Sequence, residues 1–224
     1  MHICQFCNKK SFATKKLDQI ELEKLGNNCN QITFQKGDRI MIQNALSHNI
    51  VFIEEGLVKI HAIGPEKEQI LKIVKGPSYL GIPTVIGSKT NKFSATAISK
   101  TTACFIDFEV FKDFIIQNGE FAYEIIIDLC KNELFSYKKC INQAQKQGPG
   151  KIAETLLYFS EIIFENLNFN LPLTRYELGN LTCTSRETVS RILSDFSNNR
   201  IIEVDSKKIS ILNKEQLEII SKMG

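Results

Sequence analysis

Four polar side chains in the C-terminal third of the sequence combine the residue types that read DNA bases. Arginine can donate two hydrogen bonds to guanine, a carboxylate can accept one from the amino group of cytosine, and serine can bond a base or a phosphate. Apolar Val189, Ile192 and Leu193 recur among them at helical spacing, which predicts a helix with a buried inner face and a polar outer face. The alternative is a solvated surface with an i, i+4 ion pair between Glu187 and Arg191. The candidate base-reading residues are Arg186, Glu187, Ser190 and Arg191.

The elements predicted around this helix distinguish the two interpretations. One helix is predicted from about Arg175 to Leu181 and the next from Ser185, a favourable N-cap residue, to about Asn198. Only Thr182-Cys183-Thr184 separates them, and the apolar runs at 201–204 and 208–211 predict two short strands behind them. Two helices joined by a short turn and followed by a hairpin form a winged helix-turn-helix, whose second helix enters the major groove. This context favours base reading over a solvated surface.

The charge of this region is modest for a module that binds nucleic acid. Residues 171–212 contain six Lys or Arg against five Asp or Glu, and the whole chain has a net charge of +3. Phosphate contacts must therefore come from local groups and helix N-termini, and binding by one copy would be weak. The candidate phosphate-binding residues are Thr174, Arg175, Thr184, Arg200, Lys207 and Lys208.

A long helix with no Gly or Pro in its interior is predicted from Gly119 to Gln147. Its apolar residues recur at spacings of 3, 4, 3, 4 and 3, which is the a/d pattern of a heptad seam. Packing on its own domain is the alternative, but a helix of about 40 Å, at ~1.5 Å per residue, exceeds what a small β-domain can cover. We therefore expect it to pair with a second copy, and Gly148-Pro149-Gly150 to end it as an interdomain hinge. The predicted dimer interface consists of Ile127, Cys130, Leu134, Tyr137, Ile141 and Ala144.

The N-terminal part of the chain is predicted to be mostly β-structure. A short helix is expected first, over residues 14–26, with Thr14 as its N-cap, Ile20 on its inner face and Gly26 as its stop. From residue 31 to about residue 107, short β-rich runs alternate with turns of Gly, Pro, Asn and Asp, which predicts a sandwich or barrel. The predicted division is an N-terminal domain at 1–118, a dimerisation helix at 119–147 and a C-terminal domain at 148–224.

The sequence resembles the Crp–Fnr regulators, named for the cyclic-AMP receptor protein and the fumarate–nitrate reductase regulator, and it is nearer the Fnr branch. The resemblance covers nearly the whole chain and is strongest at Glu55–Lys59, Thr102–Phe108 and Thr184–Leu193. It implies an α+β fold: an effector-sensing β-roll of the cyclic-nucleotide-binding type (a jelly roll), a long dimerisation helix and a C-terminal winged helix-turn-helix. The implied function is that of a homodimeric, sequence-specific transcription regulator.

The resemblance also implies roles for individual residues and partners. The family's base-reading helix carries Glu, then Ser or Gly three residues on, then Arg, which implies that Glu187, Ser190 and Arg191 contact bases and that Arg186 is a further reader. The implied partners are double-stranded DNA, a second copy of the chain and RNA polymerase. The DNA sites would be palindromic promoter sites with half-sites about one helical turn (~34 Å) apart.

Cyclic AMP is not expected as the effector. The cyclic-AMP branch of the family uses a Glu for the ribose and an Arg for the phosphate, and this chain has Ile82 and Phe93 at those positions. A buried cyclic phosphate without a guanidinium partner would be poorly compensated.

An iron–sulfur cluster is the cofactor that the resemblance to the Fnr branch suggests. Cys4 and Cys7 match the first pair of that branch's ligands, and Cys104 matches its distant ligand, but Ala13 stands where the third N-terminal cysteine should be. Cys29 or His2 could replace it, and zinc is the second choice for such thiolates. The alternative is a cluster-free regulator that responds to an unknown small ligand, with Cys104 as a buried apolar residue. The candidate metal ligands are Cys4, Cys7, Cys29 and Cys104, whereas Cys130, Cys140 and Cys183 are interpreted as structural.

Other classes of protein fit the sequence less well. No apolar run reaches the ~20 residues that a membrane span needs, and the start lacks the apolar segment of a signal peptide, so we expect a cytoplasmic protein with no membrane partner. A cysteine-based redox enzyme would need its C-x2-C in a βαβ context that is not predicted here. Neither His48 nor His61 has a nucleophilic residue at a spacing typical of a catalytic pair, and the sequence contains no Gly-rich phosphate loop. We therefore do not expect an enzyme. A roll that binds only protein partners is disfavoured by the recognition helix.

Overall fold

The computed structural model describes residues 9–224 and divides the chain into two compact units, Met1–Leu134 and Phe135–Gly224. The division falls within the long helix α4, Gly119–Gln145. The segment predicted as a separate dimerisation helix therefore contributes residues to both units.

The first unit is built on two four-stranded antiparallel sheets. Strand order is β1-β8-β3-β6 in one sheet and β2-β7-β4-β5 in the other. Val51 and Ile53 of the first sheet and Val58, Ile60 and Ala95 of the second belong to one buried cluster, which forms the interior of the roll. The β-sandwich predicted from the alternating runs is confirmed. The strands are β1 Cys29–Phe34, β2 Arg39–Met41, β3 Asn49–Glu55, β4 Leu57–Ile63, β5 Glu68–Lys75, β6 Ser78–Leu80, β7 Ser94–Ala97 and β8 Thr101–Asp107.

A second apolar cluster on the other face of the first sheet is shared with helices. It combines Phe52 and Ile106 of the sheet with Phe111, Phe121 and Ile125 of the helices. Phe121 meets the rings of Phe111 and Phe114 edge-on, at centroid distances of 5.3 and 5.7 Å. These contacts fix the first turns of α4 to the roll. The helices are α1 Gln19–Asn27, α2 Ile82–Gly87 and α3 Phe108–Gln117, with a 3-10 turn at Thr14–Lys16.

The predicted N-terminal helix was wrong at its start and its stop. Its N-cap is Asp18 instead of Thr14, because the Asp18 carboxylate accepts from the Glu21 N–H while the Glu21 carboxylate accepts from the Asp18 N–H, a reciprocal capping box. Ile20 was expected to face inward, but its side chain is exposed. Gly26 lies inside the helix and does not end it.

The second unit begins with the last turns of α4 and continues in α5, Gly148–Tyr158, which runs into a π-helical turn at Phe159–Ile163. Ile152 and Leu156 are fully buried on one face of α5. Strands β10 and β11 form the predicted hairpin, and β9 pairs with β11 to give a three-stranded sheet with the order β10-β11-β9. The other elements are β9 Asn168–Asn170, α6 Arg175–Thr182, α7 Arg186–Asn198, β10 Ile202–Asp205, β11 Lys208–Ile211 and α8 Lys214–Met223.

The break after the long helix lies two residues earlier than predicted. Helix α4 ends at Gln145, and Gly148-Pro149-Gly150, expected to break the helix as an interdomain hinge, forms the first turn of α5 with Gln147 as its N-cap. Proline is well tolerated there because the first N–H groups of a helix have no partner within the helix. Within the described residues, no helix has the length and hydropathy needed to cross a membrane.

Candidate nucleic-acid interface

The helix-turn-helix is held by local hydrogen bonds that the sequence specifies. The Thr174 hydroxyl accepts from the Glu177 N–H at 3.2 Å, and the Glu177 carboxylate accepts from the Thr174 N–H at 2.9 Å, which caps α6. Helix α6 ends at Cys183 in the left-handed conformation, with φ of 57°. A Cβ atom at Gly179 would lie 2.8 Å from the Thr184 carbonyl oxygen, so only glycine permits this close approach between the two helices.

Helix α7 buries the face that its apolar spacing predicted. Val189, Ile192 and Leu193 are each at most 2% exposed. The Ser185 hydroxyl accepts from the Thr188 N–H at 3.1 Å, so the predicted N-cap is confirmed. The cap fixes the start of the helix, and burial fixes its rotation about its own axis.

The four candidate base-reading side chains all lie on the exposed face of α7. Arg191 approaches Asp195 at 3.6 Å, so its i, i+4 ion pair is with Asp195, not with Glu187 as the alternative interpretation expected. Hydrogen bonds from the backbone N–H of Glu187 and from the Ser185 hydroxyl lower the pKa of the Glu187 carboxyl group. An ionised Glu187 is a hydrogen-bond acceptor, as readout of a cytosine amino group requires.

The candidate phosphate-binding residues lie around this helix with differing exposure. Thr174, at the start of α6, is exposed although its hydroxyl serves the capping box, and Arg175 beside it is half-buried, which lowers its pKa. Thr184 is half-buried and its hydroxyl lies 2.9 Å from the Thr182 hydroxyl. The three remaining residues, Arg200, Lys207 and Lys208, are exposed.

The predicted dimer seam is an exposed apolar strip along α4. Leu134, Tyr137 and Ile141 are 66%, 57% and 54% exposed. At 3.6 residues per turn, Leu134 lies on the opposite side of the helix from Phe121 and Ile125, which pack on the roll. The remaining seam residues are Ile127, which is half-buried, and Cys130 and Ala144, which are exposed.

The candidate metal ligands are only partly within the described residues, since Cys4 and Cys7 lie outside them. Cys29 pairs with Ile106 and Cys104 with Gln31, so the two cysteines are diagonal neighbours on one face of the β1–β8 ladder. Both belong to the apolar cluster that also buries Ala13. Among residues 9–224 no three side chains of the metal-binding types are grouped together.

The two roll positions that differ from the cyclic-AMP branch carry apolar side chains with little exposure. Ile82 is buried at the start of α2, and Phe93 packs against the interior cluster of the roll. Lys72, a cation on β5, donates to the Asn132 amide oxygen at 2.8 Å. Burial lowers the pKa of Lys72, and the charge of Asp128 partly opposes this effect.

Sequence reasoning missed a group of polar side chains where α4 meets α5, centred on Glu154. The available signal was the spacing of Lys139, Asn142 and Lys146 on the face of α4 opposite the seam. Spacing alone could not show that these residues meet a carboxylate on the next helix.

Two family models match the chain and together cover both of its units. A Crp-like helix-turn-helix domain matches residues 150–220, and a cyclic nucleotide-binding domain matches residues 31–118. The chain is 27% identical to the fumarate and nitrate reduction regulatory protein of Vibrio cholerae, over 96% of this chain and 86% of that protein. It is 24% identical to the CRP-like cAMP-activated global transcriptional regulator of Mycobacterium tuberculosis, over 83% of this chain and 85% of that protein.

Solved structures share the fold at lower identity. FixK2 from Bradyrhizobium japonicum aligns with a TM-score of 0.78 at 16% identity, covering 86% of this chain and 96% of that one. A CRP-family transcriptional regulator from Thermus thermophilus aligns with a TM-score of 0.75 at 16% identity, covering 86% and 97%. With both domains matched in order and regulators as its relatives, the chain belongs to the Crp–Fnr family of DNA-binding transcription regulators.

Proposed function

We propose that this regulator binds a palindromic promoter site as a homodimer, with α7 of each copy in the major groove. The observation that carries the proposal is the division of α7 into two faces, one buried by Val189 and Ile192 and the other exposing the four base-reading candidates. Arg186 and Arg191 would each pair with guanine, Glu187 would accept from a cytosine amino group, and Ser190 would bond a base or phosphate.

Pairing through α4 would supply the second recognition helix. The exposed seam of Leu134, Tyr137 and Ile141 has heptad spacing, as a surface for a second copy should. A two-fold pair of recognition helices matches two half-sites ~34 Å apart. It would also double the phosphate contacts of a domain whose own charge is modest. At a promoter, the protein partner of the bound regulator would be RNA polymerase.

Binding selection followed by a salt titration tests this proposal. Duplexes selected by the protein from a random-sequence pool supply the operator, and fluorescence anisotropy then measures its dissociation constant at rising salt. We expect affinity to fall steeply with salt. Arg191→Ala should weaken binding about 10- to 100-fold and relax preference at one base pair. Arg39→Ala, which removes an exposed arginine from the roll, is the matched control. Equal binding by both variants would contradict the assignment of α7.

We also propose that the roll senses its effector at the helix-covered cluster that contains Cys29 and Cys104. Cys29 and Cys104 lie on one face of the β1–β8 ladder in this cluster, and we propose that they join Cys4 and Cys7 as ligands. Four thiolates could hold an iron–sulfur cluster, which would make the roll sensitive to oxidation. A small ligand acting on the same cluster is the second candidate.

Measuring iron and acid-labile sulfide in protein prepared without oxygen distinguishes the iron–sulfur cluster from the small ligand. We expect both elements in the wild type and in Cys140→Ser, which alters an exposed cysteine on α4, and their loss in Cys104→Ser. Protein prepared without oxygen that contains neither element would exclude the cluster and leave the small-ligand candidate. Cyclic AMP added to either preparation should release no heat of binding in a calorimeter, because positions 82 and 93 supply no partner for its ribose or phosphate.

A further inference from the structure

The last turns of α4 and the first turns of α5 are joined by a polar junction within the second unit. We define this junction as Asn142 and Lys146 of α4 together with Glu154 of α5. The Glu154 carboxylate accepts from the Asn142 amide at 2.6 Å and lies 3.2 Å from the Lys146 ammonium group. Lys139, one turn earlier in α4, also interacts electrostatically with Glu154. A single carboxylate therefore holds two donors of α4 across the break between the helices.

The junction is sheltered, which strengthens these interactions. The Lys146 side chain is 16% exposed and that of Glu154 33%. Ion pairs and charged hydrogen bonds at such depth are screened less by salt than surface pairs. The sheltered carboxylate and its donors limit bending at the break that Lys146 and Gln147 form between α4 and α5.

Two further contacts connect the junction to the helix-turn-helix. The Gln143 side-chain amide donates to the Leu181 carbonyl oxygen, at the C-terminal end of α6, at 3.3 Å. The first residue of α5 lies directly against the recognition helix, since a Cβ atom at Gly148 would be 3.0 Å from Ile192 Cδ1. Movement at the junction is therefore transmitted to both helices of the DNA-binding motif.

The same turns of α4 also carry part of the seam. Tyr137 and Ile141 are exposed on one side of the helix, while Asn142 and Lys146 face α5. The seam residues Tyr137, Ile141 and Ala144 thus belong to the same unit as the junction and the recognition helix. In a dimer paired through the seam, the distance and angle between two recognition helices would depend on how rigidly each junction holds α5 against α4.

We propose that Glu154 is a positioning residue for DNA recognition, which sets the spacing of the two recognition helices without touching DNA. This inference rests on the proposed dimeric function and adds to it a specific residue that determines half-site spacing. Loosening the junction would leave each recognition helix intact but allow the pair to sample several spacings. Affinity for a full palindrome would then fall, because the correct spacing is only one of the populated arrangements.

Glu154→Ala tests the proposal, with Glu161→Ala as its matched control. Glu161 is also a carboxylate of the second unit, paired with Lys214 at 2.8 Å, but it makes no contact with α4 among the ion pairs of the described residues. Each variant is compared with the wild type on two duplexes from the selected operator: the full palindrome and a single half-site. The selection is also repeated with each variant, and the distribution of half-site spacings is read by sequencing.

For Glu154→Ala we expect the dissociation constant for the full palindrome to rise about tenfold, as it would if the correct spacing fell to about one tenth of the population. Binding to the single half-site should be unchanged, and the selected spacings should spread to neighbouring values. Glu154→Gln keeps an acceptor for Asn142 but loses the charge facing Lys146, so it should give a smaller spread. Glu161→Ala should match the wild type in every measurement.

The outcomes separate this inference from the proposed function. An unchanged spacing distribution in Glu154→Ala, or an equal loss on the half-site and the palindrome, would overturn the positioning role, because a purely structural defect weakens both duplexes alike. Failure of the wild type itself to prefer a palindrome would instead contradict the dimeric function.

Discussion

Ile141→Ala should weaken pairing of two copies without destabilising the individual chain. The Ile141 side chain is 54% exposed, so about half of its surface is left to bury when a second copy packs on the seam. Full burial of an isoleucine side chain contributes about 1.5–3 kcal/mol, which makes the remaining half about 1 kcal/mol. A two-fold interface contains the residue twice and loses about 2 kcal/mol. The dimer dissociation constant should therefore rise about 30-fold.

Sedimentation velocity over a dilution series measures this constant directly. Ile116→Ala is the matched control, because Ile116 lies on α3, away from the seam, and is 70% exposed. We expect the control to pair and unfold like the wild type, and Ile141→Ala to unfold at the wild-type temperature at concentrations where both are monomeric. Pairing in Ile141→Ala that equals that of the control would refute the placement of the interface on this face of α4.

Three further substitutions test local features of the second unit. Ser185→Ala removes the hydroxyl that accepts from the Thr188 N–H, and it should lower the free energy of unfolding in a urea titration by about 1 kcal/mol. Gly179→Ala places a methyl group 2.8 Å from the Thr184 carbonyl oxygen. It should lower the free energy of unfolding by more than Ser185→Ala does, and it should weaken DNA binding in an anisotropy titration. Burial lowers the pKa of Lys139 to about 8. Between pH 8 and the ordinary pKa of lysine, the unfolded chain therefore binds more protons than the folded one. The free energy of unfolding should rise with pH across this window. Lys139→Met should be more stable than the wild type at pH 7, and thermal unfolding should show this advantage shrinking as the pH is raised through that window.

Features that repeat locally along the chain were predictable from the sequence. The buried face of α7 and the exposed apolar strip of α4 follow from helical spacing, and the N-cap at Ser185 follows from its residue type. Short elements were not predictable: α2, which begins after Gly81 in the left-handed conformation, and β9, which has only three residues, are too short for periodicity to show. The start of α1 was wrong because a capping box at Asp18 outcompeted the weaker signal at Thr14.

In the candidate site, too, features set within one helix could be predicted, whereas contacts between elements could not. Exposure of Arg186 and Arg191 could be inferred, because a helix with one apolar face must turn its other residues outward. The contact of Asn142 with Glu154 could not be inferred, because it depends on the turn between two helices and not on either helix alone. The diagonal placement of Cys29 and Cys104 likewise depends on the register of β1 against β8, which the alternation of either strand leaves open.

Helix α4 has a different anchor at each end, and this limits how an effector could act. Its first turns are fixed by Phe121, which packs in the apolar cluster that contains Cys104, and its last turns are fixed by the ion pair of Lys146 with Glu154. Under the proposed function, a change at the cluster that displaces Phe121 would act first on the opening turns of α4, where Ile125 shares the same cluster. Ile127, the first residue of the predicted seam, follows two positions later in the same unit. We therefore expect an effector at this cluster to alter pairing first at the Ile127 end of the seam.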